Sequence, residues 1–368
     1  MLRFLIGDFL TGRRIQWVPA LDGDWSEVLN GAGSVSCTVS LRNRYVKTLD
    51  LPRSATEGKS FLAAVDGDTV LQAGPVWAHE FDDDRRRLTL LAAGAWSYFD
   101  HRTILPYPTT DPADAAADTN LTSSLQGIAR AWVAQAKAWP NGDVPVILPD
   151  EIPGTNERNE LGSNLARVGE RLSQITQVEG GPEIQFKPRF QENREGVEWV
   201  MRIGTPDEPH LFSPQDVVFR TNVPESSVSG LRVRTSGTNI ASRVYASGGR
   251  SADKVLIRYA ENPGLLEQGF PALDAVDASF TTVVEGDTMQ EHANDLRDYG
   301  ARRIVSMSFD HSILKRPFLY SFTVGDFARV HFTDHPYFGT GPQRMRIVGR
   351  RGSAKSQKVR LDLQPEVS

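Results

Sequence analysis

Between Ser34 and Leu41 the chain alternates residue by residue. Val35, Cys37, Val39 and Leu41 fall on one side, and Ser34, Ser36, Thr38 and Ser40 on the other. A period of two with β-branched residues is the pattern of a half-buried antiparallel strand. The Asn30-Gly31-Ala32-Gly33 run before it supplies a turn, because Asn and Gly tolerate positive φ. The polar face carries no charge, although a solvated strand usually presents Lys or Glu there. Small hydroxylated side chains suit packing against another protein chain or lining a smooth polar surface.

The rest of residues 1–100 also reads as β. Asp66-Gly67 is the turn of a hairpin, and Gln72–Phe81 and Arg87–Ala93 form the arms of another. Its loop is Asp82-Asp83-Asp84-Arg85-Arg86. Strands this short, with regular turns, predict a small barrel or sandwich. Residues 101–220 differ. Tyr107–Asn120 reads as a loop, and a helix follows over 122–138 with Leu125, Ile128, Trp132, Ala136 and Trp139 on one face. A second helix over 161–177 has the stripe Leu165, Val168, Leu172 and Ile175. Strands then return at 184–186 and 197–203. Residues 221–368 are β again, with strands at 231–235, 240–246, 255–259, 303–309, 319–323, 328–332, 344–349 and 358–363. A helix over 288–299 has Asp287 as its N-cap and Gly300 as its stop. The expected fold is mainly β with an α+β insert, in three segments: 1–100, 101–220 and 221–368.

The 368 residues allow two to four domains. A net charge of −5, from 46 acidic and 41 basic residues, argues against stable nucleic-acid binding. The single cysteine, Cys37, excludes a disulfide within the chain and a Cys-based zinc site, and reads as a small buried apolar residue. Met1–Ile6 begins like a secretory signal, but Asp8 interrupts it and no cleavage site follows. Folding in a cytoplasm and no membrane anchor are expected.

Motifs with chemistry are sparse. On an unbroken strand His331 and His335 would share a side, but no third metal ligand is near. Asp82–Asp84 would hold a cation poorly beside Arg85–Arg87, so a self-compensated hairpin tip is expected, with Asp83 and Arg86, like His335, available for contact between subunits. Asp150, Glu157, Glu160, Glu179 and Glu183 are the candidates for a glycosidase pair, and nothing marks one as an acid with a raised pKa. No nucleophile elbow, Walker loop, dinucleotide fingerprint or zincin motif is present. The seven tryptophans sit at core-like positions. No catalytic residue, cofactor or metal is expected.

The segment Trp17–Val39 resembles the N-terminus of minor tail proteins of long-tailed bacteriophages, in particular the tail hub (baseplate hub) proteins of siphophages infecting actinobacteria. Asn239–Gly248 resembles the strand opening the family's second barrel, and Met289–Tyr299 the short helix before its last strands. Val324–Val330 with Arg346–Gly349 resembles the closing strands. The resemblance implies a homotrimer in which two β-barrel tube domains per chain make a pseudo-sixfold ring at the tail tip of the virion. It implies contact with the distal tail, tape-measure and tip or fibre proteins. It also implies passage of DNA without specific binding, and synthesis in the host bacterial cytoplasm. Three chains at −5 each give an acidic ring that would not retain DNA. On this reading Ser34, Ser36, Thr38 and Ser40 form a ring-interface or lumen face. The rival readings are another tail-tip component, distal tail or receptor-binding, and a tail-associated cell-wall hydrolase.

Overall fold

The computed structural model describes residues 2–107, 117–178, 180–205, 209–251, 254–278, 286–301 and 304–365. Glu179, Arg303 and most of the 107–120 loop lie outside them. The first elements are β1 (Leu2–Asp8), β2 (Arg14–Val18), β3 (Asp22–Val28), β4 (Ser34–Ser40), α1 (Arg44–Thr48), α2 (Leu51–Ser54), β5 (Ser60–Asp66), β6 (Thr69–Asp82), β7 (Arg87–Ala93) and α3 (Trp96–Phe99). Next come β8 (Thr119–Ser123), α4 (Leu125–Lys137), β9 (Val146–Ile147), β10 (Asn156–Glu160), α5 (Val168–Ile175), β11 (Glu183–Phe190), β12 (Val197–Gly204) and β13 (Val217–Arg220). After these lie β14 (Val228–Ser236), β15 (Arg243–Ser251), β16 (Lys254–Glu261), α6 (Pro263–Glu267), β17 (Asp274–Asp277), α7 (Gly286–Gly300) and β18 (Ile304–Ser312). β19 (Phe327–His335), β20 (Gly339–Ser353) and β21 (Lys358–Pro365) close the chain. Strand outweighs helix, 47% against 18%, so the fold is mainly β.

Two compact units emerge: Met1–Leu231 with Ser308–Ser368, and Arg232–Met307. These boundaries differ from the three segments read in the sequence. In the first unit one sheet runs β21-β20-β3-β4-β7-β6-β5-β1-β2, with β19 also on β20 and β13 on β19. The C-terminal strand β20 thus pairs with β3 near the N-terminus, Gly349 opposite Val28 and Gly352 opposite Trp25. β6 serves two partners in turn. Its first half pairs with β5 and its second with β7. At the changeover a Cβ on Gly74 would sit 1.8 Å from the Ala93 carbonyl oxygen, so only glycine fits there.

The α+β part packs into the same unit. The Ser124 hydroxyl caps α4 by accepting from Gly127 N at 3.0 Å, and the helix buries Ile128, Trp132, Val133 and Ala136. Strands β11-β12-β9 form one small sheet, and β10-β8 another. The core joins Leu5, Phe61 and Trp96 from the N-terminal strands and α3 to Leu172, Ile184 and Trp199. Trp199 is fully buried, donates its indole N–H to Ala73 O at 2.9 Å, and meets Phe9 and Phe61 edge-on. Burial of each large side chain contributes about 1.5–3 kcal/mol, so the insert is welded to the N-terminal sheet.

The second unit is a sheet ordered β16-β15-β17. Helix α7 covers it, with Met289 and Ala293 on Ala246 and Ala260. Asp287 lies in the first turn of α7 rather than ahead of it.

Three local expectations need correction. The helix expected from residue 161 starts only at Val168. Leu165 is left-handed at φ 47° and 49% exposed, so it belongs to no buried stripe. Leu41 lies past the end of β4 and is half-buried. Leu319–Ser321 forms a 3₁₀ turn instead of a strand. Its carbonyls are used otherwise: Arg350 Nη1 donates to Phe322 O at 2.9 Å and Leu319 O at 3.3 Å.

Candidate assembly interface

β4 lies between β3 and β7 in the sheet. Val35, Cys37 and Val39 are at most 1% exposed, as the alternation requires. On the opposite face Ser34 is exposed and Ser36, Thr38 and Ser40 are half-buried. Two of their hydroxyls are matched across the ladder, and the other two accept from backbone N–H groups. Ser34 Oγ shares a hydrogen bond of 2.8 Å with Ser26 Oγ, and Thr38 Oγ1 one of 2.9 Å with Thr89 Oγ1. Ser36 Oγ accepts from Asp24 N at 3.3 Å, and Ser40 Oγ from Arg42 N at 3.3 Å. Cross-strand hydroxyl pairs of this kind stabilise a sheet by a few tenths of a kcal/mol each, on the order of 0.2–1. They also keep the surface low, since no long side chain rises from β4.

Carboxylates flank this stripe. In register, Asp22 lies opposite Thr38 and Asp24 opposite Ser36 on one side, and Glu80 lies opposite Thr89 on the other. Asp22 is held by Lys355 at 2.6 Å, which keeps its carboxyl below the ordinary range. The same register sets Arg87 opposite Ser40 and Arg351 opposite Ser26, so the face is flat and hydroxylated, with margins of both charges.

The β6–β7 turn is the expected hairpin tip. Arg85 pairs with Asp82 at 3.3 Å and Arg86 with Asp83 at 2.7 Å, all on exposed side chains. Such pairs contribute little to stability. His331 and His335 do not share a side. A bulge between Phe332 and His335, with Asp334 at φ 47°, shifts the alternation by one residue. His335 then stacks with Phe332 at 4.9 Å and Phe338 at 5.2 Å. Among the described residues no cluster of three potential ligands could hold a metal.

Beneath the sheet lies a charge cluster that sequence reasoning missed. Glu27 is 3% exposed and Arg350 5%. Glu27 accepts from Arg350 Nε at 2.5 Å, Lys187 Nζ at 2.5 Å and Gln185 Nε2 at 2.6 Å. Burial alone would raise the Glu27 pKa, but Arg350 and Lys187 outweigh it and hold the carboxyl below its ordinary value. Burial lowers Lys187 to about 8, against the opposing pull of Glu27. The cluster ties together β3, β11 of the insert and β20. A second knot lies nearby in sequence. Arg346 pairs with Glu183 and stacks over Phe327 at 4.5 Å, and buried Asp326 accepts from Ser213 N at 2.8 Å and Thr323 N at 2.7 Å.

The carboxylates weighed for glycoside hydrolysis are dispersed. Glu160 is bound to Arg171 at 2.9 Å and Glu183 to Arg346, each with its pKa raised by burial and opposed by its arginine. Glu157 and Asp150 are exposed, and Glu179 lies outside the described residues. Among the described residues no helix is long and apolar enough to cross a membrane.

No protein-family model matches this sequence. No curated protein matches it either. Solved structures do, and they define the class of fold: that of bacteriophage tail proteins. The tail protein from Neisseria meningitidis MC58 aligns with a TM-score of 0.57 at 13% identity, over 99% of this chain and 97% of its own. The 43 kDa tail protein of prophage MuSo2 from Shewanella oneidensis aligns with a TM-score of 0.58 at 10% identity, over 99% and 97%. The prophage tail protein gp18 from Listeria monocytogenes EGD-e gives 0.52 at 11% identity, over 99% and 94%.

Proposed function

We propose that this chain is a structural protein of a bacteriophage tail, acting as the tail hub at the distal end of a siphophage tail. The observation that carries this reading is end-to-end likeness of fold. Three phage tail proteins match over 99% of this chain and at least 94% of the matched chains. On this reading three copies form a pseudo-sixfold ring that closes the tail tube and links it to the distal tail, tape-measure and tip or fibre proteins. The N-terminal and C-terminal β segments supply the tube modules, and closure of each into a barrel is part of the proposal. Ser34, Ser36, Thr38 and Ser40 face a neighbour or the channel. The stripe itself carries no cation to hold phosphate, which suits sliding of DNA. Asp83, Arg86 and His335 lie on loops available to adjacent subunits. The role is mechanical. Glu160 and Glu183 lie in different sheets, each engaged by its own arginine, which favours this role over hydrolysis by a carboxylate pair.

Immunogold electron microscopy of virions of the encoding phage tests this. Label confined to the distal tail end is expected. Label along the tube, or none on the particle, would refute the hub assignment.

A further inference from the structure

The first unit encloses a histidine that the proposed role leaves unused. His311, on β18, is fully buried. Its ring lies roughly perpendicular to those of Phe219 at 5.2 Å and Phe322 at 5.9 Å. Nε2 donates to Pro317 O at 2.7 Å, which fixes the proton on that nitrogen. Nδ1 is buried and meets no hydrogen-bond partner among the described residues. A neutral imidazole tolerates this, because Nδ1 then carries a lone pair and no hydrogen. A second proton would place an unmatched N–H and a full charge among phenyl rings.

The Pro317 carbonyl belongs to an exposed turn, residues 313–318, in which Leu314 is 65% exposed and Phe318 50%. The near end of the turn is fastened by Ser312 N to Ser227 O at 2.9 Å and Ile313 N to Gln357 O at 3.0 Å. Beyond its far end Arg350 donates to Leu319 O and Phe322 O. Between these anchors, at Arg316–Phe318, the His311 bond is the one hydrogen bond tying the backbone to β18 among the described residues.

The charged and titratable groups around this site are engaged elsewhere. Asp310 alternates to the other side of β18 and meets Arg360 at 3.5 Å. Arg220 follows Phe219 on β13 and is exposed. Arg350 of β20 is matched by Glu27, and Asp326 accepts from Ser213 N and Thr323 N. Tyr320 gives its hydroxyl to Asp66. Lys315 Nζ reaches Glu225 O at 2.8 Å, and Lys358 Nζ of β21 the Ser229 hydroxyl at 2.9 Å. None of them is hydrogen-bonded to the imidazole, so no carboxylate receives a second N–H. Burial holds the imidazole below the usual histidine range, against the pull of the Pro317 carbonyl. Below about pH 6.5 an opened turn takes up a proton that the closed one refuses, so the equilibrium moves toward opening as pH falls.

We propose that His311 is an acid-released latch: neutral, it fastens the 313–318 turn to β18, and protonated, it leaves the Phe219–Phe322 pocket and frees the turn. This inference does not rest on the tail reading.

The test is hydrogen–deuterium exchange of the full chain, read by mass spectrometry at about pH 7.5 and about pH 5 and corrected for the pH dependence of free amides. A histidine that titrates near 6.5 once released biases opening by up to about 30-fold at the lower pH. Exchange across 312–322 should therefore be at least ~10-fold faster there, while the α4 amides keep their protection. His311→Gln sets an amide N–H near the Nε2 position and takes no second proton, so protection of 312–322 should not change with pH in that variant. Equal protection of 312–322 at both pH values in wild type would overturn the proposal. So would an acid response that persists in His311→Gln, or α4 losing protection in step with the turn. The comparison of the turn with α4 in wild type stands without the variant.

Discussion

Glu27→Gln removes one negative charge from a site where Arg350 is 5% exposed and the Lys187 side chain 22%. The amide nearly fills the same volume, so packing is preserved and the loss is electrostatic. Arg350 then remains beneath the sheet as a cation, and Lys187 loses the carboxylate that favours its charged form. Breaking one buried ion pair by deleting one partner costs about 3–5 kcal/mol, and most of that is the stranded charge. At ~2–4 °C per kcal/mol for a domain of 150–250 residues, the melting temperature should fall by roughly 10 °C. Differential scanning calorimetry of wild type and variant measures this. The double variant Glu27→Gln with Lys187→Met removes that buried amine and should regain at least ~1 kcal/mol over the single variant. A Glu27→Gln protein melting within about 1 °C of wild type would refute the reasoning, because the cluster would then contribute nothing to joining β3, β11 and β20.

Lys187 gives a pH prediction. Its folded pKa of about 8 lies below the ordinary 10.5, so between those values the unfolded chain binds more protons and stability rises with pH. Relative to Lys187→Met, wild type should gain up to roughly 3 kcal/mol from pH 8 to 10.5, read from urea midpoints; a flat difference would contradict the buried placement. Cys37 is fully buried, and burial pushes its thiol far above the ordinary range. Ellman's reagent should leave it untouched in the native protein and react with one thiol per chain in denaturant, and rapid native labelling would disprove the strand register. Ser36→Arg raises a long charged side chain on the hydroxyl face. It should leave the monomer's melting temperature within about 2 °C of wild type while abolishing ring formation on native gels; normal assembly would make that face ordinary surface.

What the sequence made legible was local. The alternation through Val35, Cys37 and Val39 placed β4 and its buried side, and the Ile128, Trp132 and Ala136 stripe placed α4. Both signals lie within one element. The Glu27 cluster is built from residues 158 and 323 positions apart, which no periodicity reports. A faint local signal did exist: Glu27 falls in phase with Trp25 on the inward side of β3, and an inward carboxylate requires a buried cation. The bulge at Asp334 depends on one positive φ at a non-glycine residue, so the alternation misplaced His335. The pairing of β20 with β3 was invisible for the same reason as the cluster, and with it the union of the first and last strands in one sheet. The hydroxyl stripe was readable from Ser34 to Ser40, but its charged margins were not, because Asp24, Glu80 and Arg351 reach it from neighbouring strands.

The central claim is a ring of three chains, and its mass tests it most directly. Mass photometry of the purified protein, alone and with the distal tail protein, resolves multiples of the 40.7 kDa chain. The hub reading predicts a species of three chains, lost in Ser36→Arg. A six-chain ring would contradict it and favour a distal tail component. A protein that stays a single chain with every tail partner present would contradict assembly through this face.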